Sequence, residues 1–278
     1  MSGAADAGLN ATQKVCAVLR ALGSRSPAAL RDLAVETDMN KVTAFRILGT
    51  LVSEGFVRRP AGSRLYELGP EVAALAASLA QKTDLRSAAR PPLLLLAAQS
   101  GDTAVLSLRV GANAVCIERQ TGDFPIQSNY LYPGTRRPLG IGAGATAILA
   151  ALPEAEANAL LDLLPPKLEP FPRLQPDAIR EAVRQARQRG YAVVLDQIVD
   201  KMGGIAVALR APDRDVVGSF SILALSERIP TREQMLVALL QNAARAAERS
   251  MAELWATSGV TSRQNIREHE IRRVRDSR

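Results

Sequence analysis

The chain has 278 residues, of which 47% are apolar and 23% charged, a composition typical of a globular protein long enough for two domains. It contains no apolar run of about 18 residues, and the N-terminus lacks the basic start and apolar stretch of a secretion signal, so we expect no membrane span. The two widely separated cysteines, Cys16 and Cys116, predict a reduced, cytoplasmic protein without a disulfide framework.

The charge and the scarcity of histidine restrict the function. A net charge of +7 favours polyanionic partners. His269, the single histidine, lies near the C-terminus, where it is a poor base for a Ser-His-Asp triad or a Cys-His pair, and zinc ligands are scarce. Enzymes that use carboxylates or lysine remain open. We nevertheless expect that the protein is not an enzyme and that it has no catalytic residue, no bound metal and no cofactor.

The first 69 residues predict three short helices and a basic hairpin. The helices cover 11–23, 26–39 with Ser26 as N-cap, and 40–54. Two short strands at 56–57 and 65–68 enclose the turn "PAGS". This order of elements is that of a winged helix-turn-helix. A further helix starts at Pro70, and we expect the pair Pro91-Pro92 to end or interrupt it.

The remaining sequence predicts an α+β domain with an antiparallel sheet and helices to one side. The predicted domains are 1–69, a linker helix at 70–90, the α+β domain at 91–256 and a basic tail at 257–278. Predicted helices cover 93–101, 142–153, 153–165, 176–190 and 231–255; predicted strands cover a hairpin at 102–122, then 124–134, 191–195, 204–212 and 215–225.

The helix that Asn40 caps has an apolar and a polar face. Its apolar positions predict a core-facing stripe of Ala44, Ile47, Leu48, Leu51 and Val52. The other face carries Lys41, Thr43, Arg46 and Thr50, side chains of types that bind phosphates or base edges in a major groove. The alternative is an ordinary solvated helix beside a basic hairpin.

Three segments resemble the isocitrate lyase regulator (IclR) family of transcriptional regulators. They are "ATQKVCAVLRALG…LRDLAVETDMNKVTAFRILGTLVSEGFVRR…YELG", "RRPLGIGAGATAILAALP" and "RQRGYAVV…GGIAVALRAPDRDVVGSFSI", in the family's order. The resemblance implies a winged helix-turn-helix, a linker helix and a C-terminal effector-binding domain. It also implies a regulator of a catabolic operon that binds double-stranded operator DNA as a dimer or dimer of dimers and responds to a small organic acid.

The resemblance places the DNA contacts on the Asn40 helix and on the hairpin as a wing. Phe45 stands where a polar or aromatic residue is more usual, so it either stacks on a sugar-phosphate edge or packs inward. The expected DNA-binding residues are Asn40, Lys41, Thr43, Phe45, Arg46, Thr50, Arg58, Arg59 and Arg64.

The same resemblance places an effector pocket around the loop "GIGAGA", where a glycine loop that leads into a helix offers backbone N–H groups to a carboxylate. Alternation puts Ile126, Ser128 and Tyr130 on one face of a predicted strand, and Ser219, Ser221 and Leu223 on one face of another. The expected ligand-binding residues are Ile126, Ser128, Tyr130, Gly140, Ile141, Gly142, Ala143, Gly144, Val194, Asp196, Gly204, Ser219, Ser221 and Leu223.

Departures from the family pattern change the expected effector. Gly140 replaces a histidine, Val194 a polar residue and Leu223 a second serine, which favours a larger or aromatic acid; alternatively Val194 and Leu223 are core. Any of Arg109, Arg119, Arg136 and Arg137 could hold an effector carboxylate, or they are solvated or paired with Glu118 and Asp123.

The sequence also allows other functions. The loop also fits G-x-G-x-x-A, but a dinucleotide site needs a buried parallel strand before it, and a turn-rich basic stretch stands there. An enzyme that uses the N-terminal unit only for dimerisation, or a protein-interaction module built on the winged helix, are the alternatives to a DNA-binding regulator.

Overall fold

The computed structural model describes residues 9–80 and 85–257. The chain divides into two units, Met1–Gln81 and Lys82–Arg278. The predicted tail from 258 onward, and residues 81–84 of the predicted linker, lie outside the described residues. No helix of the described residues is long and apolar enough to cross a membrane.

The first unit contains four helices and three short strands within its described residues. They are α1 (Ala11–Ser24), β1 (Ala28–Ala29), α2 (Leu30–Glu36), α3 (Lys41–Ser53), β2 (Val57–Arg58), β3 (Leu65–Leu68) and α4 (Pro70–Ala80). The antiparallel strands are ordered β1-β3-β2. Val18, Leu22, Leu33 and Leu48, all fully buried, form the core between α1, α2 and α3.

The predicted start of the second helix needs correction. Ser26 does not cap a helix: α2 begins only at Leu30, because Ala28 and Ala29 pair with Tyr66 and Leu65 as a third strand. Such long-range pairing is invisible in local helix signals. The wing strands β2 and β3 follow the prediction within one residue, with Val57 opposite Leu68.

The second unit is built on a six-stranded antiparallel sheet ordered β6-β5-β4-β9-β8-β7. Its strands are β4 (Thr103–Val110), β5 (Asn113–Gln120), β6 (Arg136–Pro138), β7 (Ala192–Leu195), β8 (Met202–Arg210) and β9 (Val216–Leu225). Its helices are α5 (Leu85–Ser100), α6 (Ala143–Ala151), α7 (Glu154–Asp162), α8 (Pro176–Arg189) and α9 (Glu233–Thr257), with 3-10 turns at Pro165–Lys167, Ser226–Arg228 and Pro230–Arg232.

The prolines do not end a helix, contrary to prediction. Pro91 and Pro92 lie inside α5, which continues to Ser100. Ala89, Leu93 and Leu96 of this helix are buried against the sheet. Packing of the apolar face therefore outweighs the hydrogen bonds that the prolines remove.

Helices cover both faces of the sheet, not one side as predicted. Phe220, Ile222 and Ala224 of β9 face a core shared with α5 and α9. On the opposite face, Ser219, Ser221 and Leu223 alternate with them, and a second core joins α6, α7 and α8.

The predicted strand over 124–134 is wrong. This segment is irregular, and the short strand β6 begins only at Arg136. Consequently Ile126, Ser128 and Tyr130 do not share a strand face: Ile126 is exposed, Ser128 is buried and Tyr130 is half-buried.

Candidate functional site

The helix α3 presents a solvent face that its packing leaves free. Asn40 caps it, since its Oδ1 accepts a hydrogen bond from the Thr43 backbone N–H at 2.8 Å. Ala44, Leu48 and Leu51 are buried beneath the helix. The expected DNA-binding residues lie mostly outward: Lys41, Phe45, Arg46 and Thr50 are exposed and Thr43 is half-buried.

The wing arginines are exposed, and two of them have contacts within the hairpin. Arg58 Nε lies 3.1 Å from a Glu67 carboxylate oxygen, and the Arg59 guanidinium lies over the Tyr66 ring at 5.6 Å. Arg64 is exposed at the tip. An exposed ion pair is worth at most about 1 kcal/mol, so a phosphate could take the place of Glu67.

A pocket opens on the α6 side of the large sheet, inside the second unit. It lies between the β9 face that carries Ser221 and Leu223, the glycine loop before α6, and Tyr130 and Leu131 of the irregular segment. The predicted ligand residues that line it are Tyr130, Ile141, Gly142, Ala143, Gly144, Val194, Gly204, Ser221 and Leu223.

Five predicted ligand residues lie elsewhere. Ile126 and Asp196 are exposed, and Asp196 accepts a hydrogen bond from the Ser226 hydroxyl. Gly140 packs against Ile179 and Leu164, and the Ser128 carbonyl accepts a hydrogen bond from Arg119. Ser219 lies beside Gly144 with its buried hydroxyl unpartnered among the described residues.

Arg137 gives the pocket its charge. It is the single charged side chain among the described lining residues, and within 9–80 and 85–257 it forms no ion pair with an acidic side chain. Burial lowers the pKa of the guanidinium from its usual value, yet arginine stays protonated in proteins. The guanidinium also lies over the Tyr130 ring, with its Cζ 5.2 Å from the centroid.

The start of α6 adds a second positive feature. A Cβ at Gly142 would lie 3.2 Å from a terminal nitrogen of Arg137, so the guanidinium rests against this N-cap. No side chain of the described residues caps α6. Uncapped N–H groups carry partial positive charge, and together with the guanidinium they form a site suited to one carboxylate.

Sequence reasoning missed several lining residues. They are Ser107, Ala114, Cys116, Leu131, Ala145, Gln197, Ile198, Met202 and Gly203. Ser107 lies opposite Ser219 because β4 pairs with β9, and Cys116 lies opposite Ser107 because β4 pairs with β5. Alternation along a strand shows which residues share a face, but the order of strands comes only from the fold.

The Cys116 thiol is buried in the wall of the pocket that Arg137 also lines, and it carries no charge near pH 7. Burial raises its pKa to about 12. It therefore does not compete with a ligand anion for the guanidinium.

This burial predicts unequal reactivity of the two cysteines. Relative to an ordinary thiol, Cys116 has roughly a thousandfold less thiolate at pH 8, while Cys16 is exposed on α1. We expect iodoacetamide to modify Cys16 and spare Cys116 in the folded chain, and to modify both in denaturant, as read by peptide mass spectrometry. Equal rates in the folded chain would contradict the burial of Cys116.

Comparison with known proteins gives the class. The model of the IclR helix-turn-helix domain matches residues 11–61, and that of the bacterial transcriptional regulator IclR C-terminal domain matches residues 77–249. The chain therefore belongs to the IclR family of bacterial transcriptional regulators.

Relatives span most of the chain. The transcriptional repressor AllR of Escherichia coli is 28% identical over 235 residues, 81% of this chain and 83% of AllR. The glycerol operon regulatory protein of Streptomyces coelicolor is 27% identical over 254 residues, 87% and 96% of the two chains.

Solved structures share the fold. A protein of Silicibacter sp. TM1040 assigned to the ICLR regulators has a TM-score of 0.74 and 26% identity, covering 87% of this chain and 96% of its own. An IclR homolog from Microbacterium hydrocarbonoxydans complexed with 4-hydroxybenzoate has a TM-score of 0.67 and 20% identity, covering 88% and 100%. The predicted family and α+β fold class are confirmed, and the protein is a helix-turn-helix transcriptional regulator, not an enzyme.

Proposed function

We propose that this regulator responds to a small organic acid and controls a catabolic operon, with α3 and the β2–β3 wing binding operator DNA. The observation that supports an effector is Arg137, a half-buried cation without an acidic partner among the described residues. It lies at the start of α6, which no side chain of the described residues caps. A charge that is partly withdrawn from water is stabilised by an opposite charge, so the pocket favours an anion.

The rest of the pocket sets the class of acid. Ile141, Val194, Ile198 and Leu223 line it with apolar surface, and hydroxyls come from Ser107 and Ser221. With one cation, the site suits one carboxylate on an apolar or aromatic body better than a diacid. The structural relative complexed with 4-hydroxybenzoate agrees with an aromatic monoacid.

The proposed regulator works as a dimer or dimer of dimers in the cytoplasm. Two copies of α3 would enter successive major grooves of a pseudo-palindromic operator. Acid binding in the second unit would change the apparent affinity for that operator, and by linkage the operator would change the affinity for the acid by the same factor.

The test of the effector is a binding panel. We would titrate the full chain calorimetrically with benzoate, 4-hydroxybenzoate, the matched neutral amides and succinate. We expect at least one aromatic monoacid to bind, its amide to bind at least tenfold more weakly, and succinate to bind no better than the amide. Equal binding of an acid and its amide would contradict a pocket built around Arg137.

Truncating Arg46 should weaken operator binding. Arg46 lies exposed on the outer face of α3, where an arginine contacts guanine or phosphate. We expect Arg46→Ala to cost about 1–3 kcal/mol of DNA affinity, measured by fluorescence anisotropy on the DNA that flanks the coding region, at two salt concentrations.

The matched control is Arg187→Ala, which removes the same charge from an exposed position of α8 in the second unit. We expect it to leave affinity within twofold. An equal loss in both variants would show a general charge effect and contradict a direct role for Arg46.

A further inference from the structure

The solvent face of α3 is apolar at its centre. Val42 is 71% exposed and Phe45 55% exposed, although both belong to types that usually pack inside. Spaced three residues apart, they lie side by side on the face opposite Ala44, Leu48 and Leu51. Phe45 therefore does not pack inward. Val42 lies next to it on the solvent-exposed face of α3, which a binding partner would contact.

Gly49 continues the same stripe one turn further on. Together with Val42, Phe45 and Arg46 it follows the spacing of one helix face. The residue is exposed, and a Cβ built there would meet no atom within 4 Å. Glycine weakens a helix interior, and nothing within the described unit requires it, so its bare backbone fits a partner that approaches closely.

The charges around this stripe indicate which partner it fits. Lys41 and Arg46 are exposed beside the apolar pair, and Arg58, Arg59 and Arg64 are exposed on the wing. A polyanion whose surface also carries apolar groups satisfies both features. Double-stranded DNA is such a partner, because each thymine presents a 5-methyl group in the major groove between the phosphates.

We propose that Val42 and Phe45 read thymine 5-methyl groups in the major groove, with Gly49 allowing the helix backbone to approach the duplex. This inference rests on the proposed role of α3 in operator binding and adds a constraint on the operator. Each half-site contains thymine at one or two fixed positions, whose recognition depends on the methyl group and not on hydrogen bonding. Arg46 supplies the polar contact next to them.

The test removes only the methyl groups. Sequences bound by the full chain are first selected from a random duplex library. Each thymine of the selected site is then replaced in turn by deoxyuridine, which keeps every hydrogen-bonding atom of the base. Affinities are measured by fluorescence anisotropy for the wild type, Val42→Ala, Phe45→Ala and the control Val35→Ala. Val35 is 76% exposed but lies on α2, away from the stripe.

For the wild type and Val35→Ala, we expect deoxyuridine at one or two positions of each half-site to weaken binding roughly fourfold per methyl group. In Val42→Ala or Phe45→Ala, one of these positions should become insensitive to the methyl group. Because both side chains are exposed, we expect folding, monitored by circular dichroism, to be unchanged.

Two negative outcomes are distinguishable. A selected site whose affinity is insensitive to every deoxyuridine substitution, or equally sensitive in all four proteins, overturns this inference and leaves operator binding intact. The selection of no preferred site overturns the proposed function of α3 and this inference with it.

Gly49→Ala provides an independent test, because we expect it to raise thermal stability and to lower DNA affinity. Alanine has the higher helix propensity and ample space, so we expect the melting temperature of the first unit to rise by about 5 °C. We also expect affinity for the selected site to fall at least fivefold, because the added methyl group separates helix and duplex. A more stable variant that binds DNA as tightly as the wild type overturns the close approach at Gly49.

Discussion

An Arg137→Met variant should lose its response to organic acids while it keeps its affinity for operator DNA. Methionine retains much of the side-chain volume and removes the one charge among the described residues of the pocket. Truncating one partner of a buried charge pair costs about 2–5 kcal/mol, so we expect acid affinity, measured by calorimetry, to fall at least thirtyfold. The effect of an acid on operator binding should disappear in parallel.

Stability separates this loss of binding from simple damage to the fold. Because no acidic side chain among the described residues pairs with Arg137, its removal relieves a burial cost and strands no anion. We expect the free energy of unfolding to be unchanged or higher. Arg136→Met is the control: the neighbouring residue does not line the pocket, and the net charge changes equally. Unchanged acid affinity in Arg137→Met would place the carboxylate on other groups, such as the α6 N-terminus alone.

Replacing Asp102 with asparagine should destabilise the second unit more than any surface change. Asp102 is 1% exposed, receives a charged hydrogen bond from Arg232, and lies 3.4 Å from Arg228 Nε. Arg228 in turn lies 3.5 Å over the ring of Phe124, in the segment that leads to the pocket. The carboxylate thus joins the start of β4, the turns after β9 and this segment.

Loss of that carboxylate leaves the two partly buried guanidinium groups without an anionic partner among the described residues. Because both arginines keep some solvent contact, we expect about 2–3 kcal/mol less stability, measured by urea unfolding followed by circular dichroism. The control is Asp200→Asn, which breaks an exposed ion pair with Arg173 and should cost less than about 1 kcal/mol. Similar losses of unfolding free energy in the two variants would mean that burial does not strengthen the ion pairs of Asp102.

Local signals predicted most helices and the long strands. Asn40 caps α3 at the expected residue, and the periodicity of apolar residues placed α8 and α9 to within about two residues at the boundaries that can be compared. The predictions were wrong where contacts with residues far away in the sequence determine the local secondary structure. Ala28 and Ala29 pair with β3 and do not belong to the predicted helix. Pro91 and Pro92 lie inside α5, whose apolar face, Pro92 included, is buried.

The candidate site likewise contains residues that the sequence predicted and residues that only the fold brings to it. The glycine loop, Val194 and Ser221 were predicted from residue type and family resemblance, and the structure places all of them at the pocket. Ile126 was expected there from a strand that does not exist, and Cys116 was not expected at all. Among four candidate arginines, the sequence left open which one lines the pocket. Arg109 pairs with Glu156, whereas Arg137 lines the pocket.

The sequence by itself determined the order of elements in the first unit and, through three segments that resemble the IclR family, the class of protein. Capping residues, apolar periodicity and motif order are local properties that can be read without knowledge of contacts. Only the tertiary structure decided which charge is buried and which apolar groups are exposed. Both depend on strand order and helix packing across residues far apart in the chain: Arg137 lines a pocket with Ser107 and Ser221, and Val42 and Phe45 stay exposed because α3 packs through its other face. Free energies of burial and pairing arise from such neighbourhoods, so residue type alone does not give them.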